Sequence, residues 1–296
     1  MKDRWNQLAV FLFIVGVNMV LFAYIASGTA RLFFHTASLD SPEIARYINI
    51  VVGIGAFGIS TLLYAFFVNS GKPFIYLKMN KGIKWENILL ILLILCAYMP
   101  ALSWIIEWNE GLHLPQAFAS IEQWMRTKED ASAILTQQML LGNSLPVLFA
   151  NLLAMAIVPA ICEELVFRGV LLSWLKNSFH KKHLAVWLSA IVFSAIHIQF
   201  FGFFPRLLLG VYLGYLFLWT GSLWSCILAH FLHNAIVVVA AFLHNIGYIA
   251  GDYQQLGNGG GNPWIIVISF CITTALIWCL WKNKEKKNEN GVGNDS

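Results

Sequence analysis

The sequence predicts an all-α polytopic membrane protein with about eight transmembrane helices in one bundle. Of its 296 residues, 58% are hydrophobic and only 11% are charged, against roughly 25% charged in soluble domains. Mean hydropathy is +0.68. The apolar residues also come in blocks of about 20, the length that crosses a bilayer as a helix. These three observations exclude a soluble globular enzyme.

Spans are expected near 8–26, 47–68, 87–106, 145–172, 184–200, 204–220, 222–246 and 263–281. The first follows Lys2 and Arg4, and its 19 apolar residues, Leu8 to Ala26, exceed the roughly 7–15 of a secretory h-region. It is therefore expected to be retained. With the N-terminus inside, 14 Lys and Arg fall in inner segments, and only Arg31, Arg46, Arg126, Lys128 and Arg206 fall outside. That positive-inside bias predicts both termini in the cytoplasm of an integral, multi-pass protein, expected in the plasma membrane.

The organisation follows from the spans. Residues 1–144 form a three-helix region plus an outer loop over 107–144, acidic enough to be solvated and expected to hold a short amphipathic helix. Residues 145–246 form the core, 247–281 carry the last span, and 282–296 make a polar tail expected to be disordered. The glycine-rich stretch 256–263 reads as a flexible turn. Net charge is +4, but the basic residues are scattered in short loops, so no nucleic-acid face is expected. Cys96, Cys162, Cys226, Cys271 and Cys279 form no CxxC pair and are odd in number, which argues against a disulfide framework or a cysteine metal site.

Some motifs have bland readings. Gly53-Ile-Gly55-Ala-Phe-Gly58 has the dinucleotide spelling but lies inside an apolar span with no strand before it. Close helix packing is the better reading, as for Gly210-x-x-x-Gly214. HExxH, Walker A and GxSxG are absent.

Charges at membrane depth cost at least about 2.5–3.5 kcal/mol, which makes them functional candidates. The fourth span carries Glu163, Glu164 and Arg168, the fifth Phe193 and His197, and the seventh His230, His233 and Asn234. Glu164 and Arg168 are i and i+4 and pair along one helix face, which leaves Glu163, about 100° round the helix, as a base or ligand. Pro159 disturbs the backbone ladder just before them. At 1.5 Å per residue, His230 to Asn234, Glu163 and His197 all arrive about 14–22 Å from the cytoplasmic edge. His233 is expected to pack. His244 is read as interfacial, and His35, His113, His180 and His183 as solvated.

Glu163-Glu164-x-x-x-Arg168, Phe193-x-x-x-His197 and His230-x-x-x-Asn234, in this order on membrane helices, resemble the CAAX-processing and bacteriocin-processing (CPBP, or Abi) intramembrane endopeptidases. The likeness covers about residues 145–246. It implies peptide-bond hydrolysis in a membrane-associated protein or peptide. Glu163 would activate water and His197 would hold it. His230 and Asn234 would stabilise the oxyanion, while Glu164, Arg168 and Phe193 would support them. Two chemistries stay open: Glu163, His197 and His230 as ligands of a divalent metal such as zinc, or a metal-free glutamate mechanism. The competing classes are a proton-coupled transporter, which predicts internal pseudo-symmetry, and a non-catalytic immunity or scaffold protein.

Overall fold

The computed structural model describes residues 2–34, 41–250 and 262–292. His35 and most of the glycine-rich turn lie outside these residues. The described chain is helical, without a strand, and seven of its helices are long and apolar enough to cross a membrane. We label the helices α1 (Lys2–Phe33), α2 (Pro42–Val68), α3 (Trp85–Glu110), α4 (Ala119–Leu140), α5 (Leu145–Phe179), α6 (Lys182–Ala195), α7 (Phe203–Thr220), α8 (Leu223–Asn245) and α9 (Pro263–Val292).

Two elements differ from expectation. The fifth expected span, 184–200, is realised as α6, whose 14 residues rise only about 21 Å. It is followed by a turn and a single 3-10 turn, Phe200–Gly202. The backbone of α9 stays helical to Val292, where a disordered tail was expected. The Lys- and Glu-rich composition there favours helix despite its polarity.

Helices α5 to α8 form the centre. The pair α6 and α7 packs most extensively, α8 lies along α5, α1 and α2 flank α5, and α9 lies against α3. Their shared core includes Leu165, Phe167, Phe193, Leu213, Leu216 and Phe217. Outward, α1 presents Phe13, Val20 and Tyr24 to the surroundings. Such a patch would drive aggregation in water and is ordinary against lipid.

Small residues decide how close the helices come. A Cβ on Gly210 would sit 3.0 Å from the Ala190 Cβ, and one on Gly214 would sit 3.0 Å from Val186 Cγ1, so this pair sets the α6–α7 contact. A Cβ on Gly55 would fall 2.1 Å from the Phe22 ring, which bears out packing as the use of the glycine triplet.

Several polar groups inside the bundle are satisfied by neighbouring helices, as the scarcity of water in lipid favours. Pro100 interrupts α3, and Ser269 of α9 covers the break. Its hydroxyl accepts from the Ala101 N–H at 3.1 Å and donates to the Ala97 carbonyl at 2.6 Å. Buried Arg46 donates to Asn151 Oδ1 and to the Met139 carbonyl, both at 2.6 Å, joining α2, α4 and α5.

Candidate active site

The site helix α5 is not a uniform α-helix. Leu152–Ile157 and Leu165–Leu172 are π-helical, with α-helical Val158–Glu164 between them. Pro159 opens that middle stretch and has no N–H to donate. π-Turns widen the ladder and recur at functional sites. Here they bracket the adjacent Glu163 and Glu164.

Glu164 and Arg168 pair as expected, with Arg168 Nη1 donating to Glu164 Oε1 at 2.6 Å. Both are buried. Arg168 Nη2 donates to the Gly210 carbonyl at 2.9 Å, so the glycine that lets α6 and α7 meet also leaves a carbonyl within the arginine's reach. Helix α8 brings His230 to the same carboxylate, with Nδ1 2.9 Å from Glu164 Oε1. An ionised carboxylate only accepts, so Nδ1 carries the hydrogen. The other ring nitrogen, Nε2, then faces Glu163 Oε2 at 3.9 Å. Glu163 retains some exposure while Glu164 has none. Glu164 Oε2 and Arg168 Nε are buried with no hydrogen-bond partner among the described residues.

His197 is not within a helix. It follows the end of α6, on a turn, and its Nδ1 donates to the Phe193 carbonyl at 2.7 Å. A carbonyl also only accepts, so His197 Nδ1 carries a hydrogen, which leaves Nε2 of its neutral ring as an acceptor. The Phe193 ring connects the site, with its centroid 5.2 Å from that of His197, 5.9 Å from that of His230 and 4.9 Å from the Arg168 guanidinium carbon. Asn234 spends one amide N–H on the Met155 carbonyl at 3.2 Å, in the first π-helical stretch. The second N–H stays available.

The structure thus brings together Glu163, Glu164, Arg168, Phe193 and His230. It places His197 beside them through Phe193, and Asn234 one turn beyond His230. The three-ligand metal set fits less well. Among the described residues no three His, Cys, Asp or Glu side chains are grouped closely enough to share an ion, so Glu163, His197 and His230 are not a preformed metal site. All five cysteines are free.

His233, expected to pack, packs against the Tyr98 ring and is hydrogen-bonded to it, with Nδ1 2.5 Å from the Tyr98 hydroxyl. It lines both a cavity of about 440 Å³ that includes Glu110, Glu129, Gln199 and Arg206 and an apolar cavity of about 350 Å³ between α3, α7 and α9. Away from the site, His113 pairs with Glu122 at 2.9 Å and His183 with the Tyr215 hydroxyl at 2.7 Å.

Arg206 was missed. In the sequence it stands out only as a topology marker, yet it lies on α7, hydrogen-bonds to Gln199 and lines a cavity together with His233. The signal was present, since Arg206 is a charge inside the apolar run Phe203-Phe-Pro-Arg-Leu-Leu-Leu. Gln199, Glu129 and Tyr98 had no comparable signal, because only the tertiary structure brings them to the site.

Fold and site define a class: an α-helical membrane protein with a carboxylate–histidine cluster built from successive helices. Residues 145–236 match the family model described as "Type II CAAX prenyl endopeptidase Rce1-like". This match upholds the resemblance seen in the motifs. The uncharacterized protein YpbD of Bacillus subtilis (strain 168) is 27% identical over 90 residues, 29% of this chain and 43% of YpbD. The chain thus spans less than half the length of that relative. No solved structure matches.

Proposed function

We propose that the chain is an intramembrane endopeptidase that hydrolyses a peptide bond in a membrane-associated protein or peptide, with Glu163 activating the attacking water. One observation carries the reading. Arg168 holds Glu164 as an acceptor for His230 Nδ1–H, and His230 Nε2 is thereby turned to Glu163 at 3.9 Å. Two adjacent carboxylates on one helix have separate tasks, one fixing a histidine and the other left for chemistry.

In this reading Glu163 takes a proton from water as the oxygen attacks the carbonyl, then delivers it to the leaving amine. His197 Nε2 accepts from the water and orients it. Protonated His230 donates from Nε2 to the oxyanion, joined by the second amide hydrogen of Asn234. Donors aimed at developing charge in a dry site are worth several kcal/mol of barrier. The core of residues 145–246 is the catalytic unit, and with α6 crossing as a short eighth span beside the seven longer ones, both termini face the cytoplasm.

The test compares peptide termini in membranes of cells carrying wild type, Glu163→Gln or an empty vector. Termini that appear only with wild type support the reading. Termini identical in all three, with both proteins folded, overturn it in favour of a scaffold or proton relay.

A further inference from the structure

Ile198, the residue after His197, has φ of +53°. Helices often end on one left-handed residue, but that place belongs to glycine or asparagine. In a β-branched residue the conformation is a genuine outlier, and such strain persists only where the surroundings impose it. The cost is about tenfold in the population of the turn.

The restraint is visible one residue on. The Gln199 side chain bridges two helices: Oε1 accepts from Arg206 Nη2 of α7 at 2.5 Å, and Nε2 donates to Ser132 Oγ of α4 at 2.7 Å. Arg206 Nη1 also reaches the Gln199 carbonyl at 3.3 Å. Helix α4 grips the next turn as well, with the Phe201 N–H donating to Glu129 Oε2 at 2.9 Å and the Arg126 guanidinium 4.0 Å over the Phe201 ring. The helix within the outer loop therefore clamps the segment that follows His197.

We propose that Gln199, held between Arg206 and Ser132, is a positioning residue of the active site: it keeps Ile198 left-handed and so sets where His197 Nε2 points. The inference rests on the hydrolase reading above and deepens it. The alternative is that Gln199 serves only to attach α4.

Glycine distinguishes the two, because it adopts positive φ without penalty. Cleavage of a substrate found from the membrane-terminus comparison is measured with purified wild type, Gln199→Ala, Ser132→Ala, Ile198→Gly and the double variant Ile198→Gly/Gln199→Ala. The expected result is kcat down about tenfold in Gln199→Ala with KM little changed, a smaller loss in Ser132→Ala, and recovery of most of kcat in the double variant. Ile198→Gly alone stays near wild type. Unchanged kcat in Gln199→Ala overturns the proposal, as does a double variant no better than the single one. If Gln199→Ala does not fold, the same comparison is made with Ser132→Ala and Ile198→Gly/Ser132→Ala. A wild type that cleaves nothing overturns the hydrolase reading and this inference with it, whereas cleavage lost in Glu163→Gln but unaffected by the Gln199 and Ser132 variants overturns this inference alone.

Discussion

Glu163 and Glu164 are neighbours with opposite surroundings, and substituting each has a different expected effect. Glu164 is buried between Arg168 and His230. Glu164→Ala leaves the arginine buried without its partner, and removing one member of a buried pair costs about 3–5 kcal/mol. The expected outcome is a fall in melting temperature, read by thermal unfolding in detergent, together with lost activity. Glu163→Gln keeps the shape and removes the base, so the protein folds with unchanged melting temperature and turnover falls by about 10²–10⁴. The Glu164–Arg168 pair was legible in the sequence because i, i+4 spacing is a local rule. The link from Glu164 to His230 was not, because it joins positions 66 residues apart and depends on how α5 and α8 rotate against each other.

At the scale of elements, the α6–α7 contact rests on two glycines. Gly210→Val places branched carbons where Ala190 already stands 3.0 Å from a Cβ. Overpacking of this kind costs about 1–3 kcal/mol, and it also shifts the carbonyl that Arg168 uses. The expected result is lower stability and activity, while Gly82→Ala, where a Cβ meets nothing within 4 Å, leaves both unchanged. The small-xxx-small spacing made Gly210 and Gly214 readable. Helix α4 was readable only as an amphipathic possibility in a loop, since its place depends on Glu129, Ser132 and Arg126 meeting Gln199 and Phe201. The shortness of α6 was also hidden, because its apolar sequence runs on past Ala195 to Ile198 without a breaker.

The start of α4 is fixed by Glu122, whose carboxylate is held down to about 2 by the Leu114 N–H first, then by His113 and Arg126. A carboxylate with a depressed pKa stabilises the fold above its unfolded value. That contribution declines as pH falls through the ordinary carboxylate range near 4.5 and is gone below about 2. Hydrogen exchange at the Leu114 amide is expected to stay slow at pH 6 and to quicken, relative to its intrinsic rate, as pH drops from 4.5 toward 2. In Glu122→Gln that pH dependence disappears.

For the whole molecule, composition and block length were enough for an all-α membrane protein, because lipid imposes one solution on every span. The count of spans was harder, since α6 is apolar but short. Positive-inside bias predicts that single cysteines added at either terminus, in a cysteine-free background, react with an impermeant maleimide only after the membrane is opened. Labelling of either end in sealed cells would reverse the proposed topology.

Hydrolysis by Glu163-activated water is tested most directly by cleavage in H₂¹⁸O. Purified wild type and Glu163→Gln are given the same substrate, and the new C-terminal carboxylate is weighed by mass spectrometry. The account predicts one ¹⁸O in that carboxylate from wild type, formed in a single turnover, and a rate lower by about 10²–10⁴ in Glu163→Gln. Product without label, or a Glu163→Gln protein that cleaves at the wild-type rate, would contradict it.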